Sequence, residues 1–220
     1  MTITNVILYL STIVEVLNKL LIGDINMKNP KFNSMDSWAI WDIPDTDLTN
    51  KTPEERQKFF GDNYRPNHFP SEKLTKDLDA KLESLKYVIA GMNPGNAAID
   101  QVNEPFLNFH GAKKSADYRL AAALYGTEIW GSFMTDVSST IESKSNKIKI
   151  TQDDVEKFEK HLDELGISKD VTIIALGTKT FAALKKFANR DVKKIYHYSR
   201  SNGWWKAEKV HGQIEDILNK

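Results

Sequence analysis

Four short apolar segments, each running into a turn and then into a helical pattern, constrain this chain more than any other feature. Residues 87–90 (YVIA), 129–137 (IWGSFMTDV), 171–176 (VTIIAL) and 192–196 (VKKIY) read as strands. The most central of them are apolar without alternation, so both faces of the sheet need cover. Helical patterns fall at residues 73–85, 115–125, 153–165 and 180–187, and a last one runs from Gly212 onward. Ser115 is placed to cap the second of these, and Gly166 suits the end of the third. The alternation predicts an α/β three-layer sandwich with a mostly parallel four-stranded sheet. With 220 residues and 40% hydrophobic content there is enough apolar material for one core, and residues 27–220 are expected to form a single domain.

The flanks are different in character. Residues 29–71 are polar and rich in proline and aromatics, and they read as loops with one short helix opening at Thr52-Pro53-Glu54-Glu55. Residues 1–26 carry Val6, Ile7, Leu10, Ile13, Val14, Leu17 and Leu21 at helical spacing. An apolar amphipathic helix packed on the domain or on a partner is expected, with Met27 as an alternative start. There is no basic n-region or small-residue cleavage site, and Glu15, Asn18 and Lys19 interrupt any membrane span. A cytoplasmic monomer without membrane contact is the expectation.

Composition narrows the chemistry. The chain has no cysteine, which excludes disulfides, zinc–thiolate sites and iron–sulfur clusters. Its five histidines show no metal-ligand spacing, so neither metal nor cofactor is expected. Thirty basic residues balance thirty acidic ones. DNA binding would therefore be weak or depend on a local basic patch, because phosphate neutralisation supplies much of such affinity. Lys113, Lys114, Lys144, Lys147, Lys149 and Arg200 are candidates for that patch, with a solvated surface as the default for each.

Ligands of open α/β sheets bind beyond the carboxyl ends of the strands. The segments GMNPGN, FMTDVSS and HYSRSNGWW all lie at such ends. In Gly91-Met92-Asn93-Pro94-Gly95 the glycines permit a sharp turn, Pro94 fixes it, and Asn93 projects with both a donor and an acceptor. By itself this is an ordinary turn sequence.

Read together with its neighbours, GMNPG resembles the first motif of the mismatch-specific uracil/thymine-DNA glycosylases within the uracil-DNA glycosylase superfamily. Asn108-Phe109-His110 followed by Asp117-Tyr118-Arg119 is similar to that family's base-stacking segment and the helix after it. IIALGTKTFAALKKF resembles its strand-then-helix stretch, and His197-Tyr198-Ser199 falls where the family has H-P-S or N-P-S. The resemblance runs in order over residues 86–205.

What the resemblance implies is DNA repair by base excision: hydrolysis of the N-glycosidic bond of uracil, or a related damaged or mismatched base, flipped out of DNA. Asn93 would orient the attacking water and His197 would donate to the developing base oxyanion. Met92, Phe109 and Asp136 would bind the base, Phe109 by stacking. Ser199 and Arg200 would contact DNA. The alternative is a catalytically altered or inactive member of the same fold, acting as a nucleic-acid or nucleotide-binding module.

The sequence departs from the pattern at two places. Tyr198 replaces the proline of the H-P-S motif. Asp136 stands where several uracil-DNA glycosylases carry an asparagine that reads the base edge; an ionised Asp only accepts, and would repel a base carbonyl. A base offering an amine or extra N–H fits it better. Alternatively Asp136 assists water activation, or caps the next turn through Ser138 and Ser139. Trp204 or Trp205 either wedges into the base stack or packs under the last helix.

Overall fold

The computed structural model describes residues 31–42, 46–96 and 105–219. The helix expected over residues 1–26 lies outside them. Five strands form one sheet: β1 (Ser37–Trp38), β2 (Tyr87–Gly91), β3 (Phe133–Asp136), β4 (Thr172–Leu176) and β5 (Val192–Ile195), in the order β1-β3-β2-β4-β5. The four strands expected from the sequence pair in parallel, β3 with β2, β2 with β4 and β4 with β5. The sheet is nevertheless mixed and five-stranded rather than four-stranded, because β1 adds to the edge antiparallel to β3. Two residues are too few to show a periodicity. What holds β1 there is burial: Trp38 is fully enclosed and meets Phe133 edge-on at 5.4 Å.

Six α-helices flank the sheet among the described residues: α1 (Pro53–Asp62), α2 (Leu78–Glu83), α3 (Tyr118–Leu124), α4 (Gln152–Glu164), α5 (Thr178–Phe187) and α6 (Ala207–Leu218). Alternate strand residues divide between two cores. Val88, Ala90, Phe133, Ile173 and Ala175 face Leu82, Val155, Phe158, Leu162 and Leu184, so α2, α4 and α5 cover one side. Ile89, Met134, Ile174 and Ile195 face Phe60, Leu120, Leu124, Val210 and Ile214, so α1, α3 and α6 cover the other. Each fully buried Ile contributes about 1.5–3 kcal/mol, and adjacent residues Ile173 and Ile174 serve opposite layers.

Several element boundaries move for local reasons. Ser115 does not cap α3: it sits in a 3-10 turn, Lys113–Ser115, followed by Ala116 at φ +65°. The helix begins at Tyr118, and Asp117 at its N-cap makes no cap bond, because its carboxylate faces Tyr64 and Trp41 instead. The helix expected over 73–85 is only Leu78–Glu83, capped by Asp77. The strand expected over 129–137 shortens to Phe133–Asp136, with Gly131 at φ +80° before it. The last helix starts at Ala207, which places Gly212 mid-helix. The Thr52–Glu55 capping box and the positive φ of Gly166 are as the sequence implies. No helix of the described residues is long and apolar enough to cross a membrane.

The parallel register brings the carboxyl ends of four strands to one edge, with Gly91 opposite Asp136 and Leu176 opposite Ile195. The candidate site is built at that edge, from Asp136, the turns after β2 and β5 and the segment that leads into α3.

Candidate active site

A cavity of about 580 Å³ opens at that edge, and Met92, Asn93, Phe109, Asp136, His197 and Ser199 all line it. They come from the turns after β2 and β5, from the last residue of β3 and from the segment before α3. Arg200, the remaining expected site residue, does not line it: it is exposed and its guanidinium reaches the Lys113 carbonyl at 3.4 Å. Lys113, Lys114, Lys144, Lys147 and Lys149 are all exposed, and Lys147 is paired with Glu142. Among the described residues no group of three or more His, Asp or Glu is placed to hold a metal.

Asn93 is fixed by the chain around it. Its Nδ2 lies among the carbonyls of Pro94 (2.9 Å), Thr140 (2.9 Å) and Glu142 (2.7 Å), and its two N–H groups donate to them with one shared between two acceptors. Three acceptors around one nitrogen settle which end of the amide lies there. The loop after β3 is held to the loop after β2 by further bonds, Ser138 N to Met92 O and Glu142 N to Pro94 O. Asn93 Oδ1 keeps its lone pairs, with no partner among the described residues, and can accept from a water or a ligand.

His197 has its tautomer set in the same way. Its Nδ1 accepts from the Ser199 backbone N–H at 3.0 Å, so the ring proton sits on Nε2. Burial in the cavity wall pushes its pKa down to about 4. The neutral ring is therefore a donor throughout the physiological range. Between the ordinary value of 6.5 and about 4 the unfolded chain binds more protons than the folded one, so this group's contribution to stability is lost as pH falls through that window. Imidazole nitrogen chemical shifts should show Nε2–H with Nδ1 unprotonated from pH 5 to 8. A protonated ring at pH 6 would contradict the assignment.

Phe109 adopts φ +70°, a left-handed conformation that a bulky side chain occupies only under constraint. It brings the ring edge against Gly91, which has no Cβ to obstruct it. A Cβ there would overlap Asp136 Oδ1 and lie 2.7 Å from Phe109 Cε1. Gly91 is thus the missing volume that lets a carboxylate and an aromatic ring share one floor.

Asp136 is 4% exposed, and Asn108 Nδ2 donates to its Oδ2 at 2.9 Å. Burial, opposed by that bond and reinforced by the Asp36 carboxylate, pushes its pKa up to about 7. It does not cap the following turn: Ser138 sends its N–H to Met92 O and its hydroxyl to Thr140.

Three features of the site were not among the expected residues. Asn108, which the sequence offers only as the first residue of the Asn108-Phe109-His110 segment, is the clamp on Asp136. Tyr198 lines the cavity and stacks on His197 with ring centroids 4.6 Å apart. Burial and the nearby carboxylates of Asp117 and Asp136 raise its phenol well above the usual value. The third is the start of α5. Thr178, Lys179 and Thr180 line the cavity, Gly177 offers no side-chain cap, and the first turn has no acidic residue. Its free N–H groups make that end of the cavity favourable for an anion. The strand–Gly–helix signal IIALGT was visible in the sequence and could have flagged it.

Around this floor, Asp117 is fully buried, with its carboxylate meeting Tyr64 at 2.7 Å and Trp41 at 3.0 Å. Arg119 reaches the Tyr198 and Ser199 carbonyls at 3.4 and 3.5 Å and steadies the loop carrying His197. Trp205 is buried and bonded to Gln57, as a core residue under α6, whereas Trp204 is 71% exposed. Comparison with known proteins finds no family model that matches the chain and no matching curated protein.

Proposed function

We propose that this cavity is the reaction centre of a uracil-DNA-glycosylase-like hydrolase that cleaves the N-glycosidic bond of a base flipped from DNA. The observation that carries the reading is the convergence of Asn93, Phe109 and His197 on one cavity, the first two from opposite ends of the β2–α3 connection and the third from the loop after β5. In the reaction, electrons of the breaking C–N bond pass to the base while a water oxygen bonds to the sugar carbon, and the proton that water gives up ends on the departing base. Asn93 Oδ1 accepts from that water and orients it. His197 Nε2–H stabilises the negative charge arriving on the base, a role suited to a neutral ring held in one tautomer. Phe109 stacks on the base, worth about 1–3 kcal/mol. The open amides at the start of α5, with Ser199, suit a backbone phosphate. An amide is a poor base, so the chemistry is slow.

A second reading has its own support. The Asn93 amide is engaged by three carbonyls, and the chain carries no net charge. Both suit a module that binds a nucleotide or nucleic acid in the same cavity without cleaving it.

A panel of single- and double-stranded oligonucleotides bearing uracil, mismatched thymine, hypoxanthine, xanthine, cytosine or adenine separates the two. Hydrolysis is expected to leave abasic sites on at least one substrate, reduced at least about tenfold in His197→Ala. Base-dependent binding with no abasic product would favour the module. Neither binding nor cleavage on any substrate would overturn both.

A further inference from the structure

We infer that Asp136 makes the base seat selective for a nucleobase presenting an exocyclic amine, of the cytosine or adenine type, over one presenting a carbonyl at that edge. The inference rests on the reading of the cavity as a seat for a flipped base, and it names which base the seat takes.

The two oxygens of Asp136 have different surroundings. Oδ2 is met by Asn108 Nδ2, and that nitrogen is itself anchored on the Met35 carbonyl at 2.6 Å. Oδ1 has no hydrogen-bond partner among the described residues. It borders the space left empty by the absent Cβ of Gly91, beside the edge of the Phe109 ring. A base laid on Phe109 would therefore bring its polar edge towards Oδ1. Because the residue is 4% exposed, water is a poor substitute for a ligand donor.

The charges around the carboxylate sharpen the choice. Asp36, itself paired with His161 Nε2 at 2.9 Å, adds negative potential, the Tyr198 phenol is near enough to feel the carboxylate, and Asn108 is a neutral amide. No Lys or Arg among the described ion pairs engages Asp136. An ionised Oδ1 can only accept. An amine supplies the missing N–H, whereas a carbonyl oxygen would be set against an anion in a water-poor pocket. A buried polar group left without its partner is the kind of mismatch on which sites discriminate strongly. From the loop after β5, His197 Nε2–H still offers the same cavity a donor for a ring carbonyl or nitrogen. When Asp136 is protonated its Oδ1 becomes a donor and the preference should weaken. Burial places that change near pH 7.

The test compares binding and cleavage by the full chain on otherwise identical oligonucleotides carrying mismatched cytosine, adenine or uracil, at pH 8 and pH 6, with Asp136→Asn alongside. At pH 8 an amine-bearing base is expected to be favoured over uracil by about tenfold or more, with a smaller margin at pH 6. Asp136→Asn should favour uracil at both pH values. Uracil preferred by the unmodified protein at pH 8, or a preference indifferent to pH, would overturn the inference even if the variant did not fold. Base-dependent binding without an amine preference would sink the selectivity while leaving the cavity's role standing. Absence of any base dependence would remove both.

Discussion

Replacing Gly91 by alanine is expected to close the base seat and reduce base-dependent binding or cleavage by about a hundredfold or more. Gly91 lies in an ordinary strand conformation, so the added methyl carries no backbone penalty and its effect is purely one of volume. That volume is already taken: the new carbon would overlap Asp136 Oδ1 and sit 2.7 and 2.9 Å from two atoms of the Phe109 ring. Neither neighbour gives way cheaply. Asp136 is held by the β2–β3 register and by Asn108, and Phe109 hangs from a left-handed backbone position. Overpacking of this kind costs about 1–3 kcal/mol, read as a lower urea midpoint with an unchanged slope. A ring shifted by about 1 Å loses about a hundredfold in rate through misplacement alone. Native stability together with native base binding in Gly91→Ala would show that Phe109 and Asp136 do not share a floor.

The same position marks the boundary of what could be read from residues. The sheet was legible because VTIIAL and YVIA have no polar side, which forces cover on both faces. β1 was not, since two residues reveal no period and Trp38 reads the same in a loop as on a strand. Ser115 has good capping chemistry, but the chain passes through left-handed Ala116 before α3 begins, and no composition rule foresees that. Asn93, Phe109 and His197 could be named from the order of motifs, and the fold places all three on one cavity. Their roles depend on partners far along the chain. Asn108 meets Asp136 across 28 residues, and the amide of Asn93 is bound by carbonyls 47 and 49 residues away. Backbone carbonyls leave no signature in a sequence, so an amide's free end cannot be told from its engaged one until the fold is known.

That distinction sets the outcome of the change with the largest expected effect, Asn93→Asp. Proton-transfer chemistry alone favours it, since a carboxylate is a better base for water than an amide. The surroundings oppose it. The aspartate would present an oxygen in place of Nδ2 to the carbonyls of Pro94, Thr140 and Glu142, at 2.7 to 2.9 Å. An anion among three acceptors must be protonated or swing away, and in either case the loop after β3 keeps only its backbone bonds, Ser138 N to Met92 O and Glu142 N to Pro94 O, to the turn after β2. We expect cleavage to fall about 10²–10⁴-fold, the usual worth of a positioned proton-transfer group. Asn93→Ala should do no worse than Asn93→Asp, because alanine removes the bonds without adding the repulsion. Single-turnover rates at pH 7 would rank the variants, and amide exchange at residues 140–143 would report whether the loop has opened. An Asn93→Asp protein faster than the unmodified chain, with that loop still protected, would mean that Asn93 acts only through Oδ1 and that the three carbonyl bonds hold nothing the reaction requires.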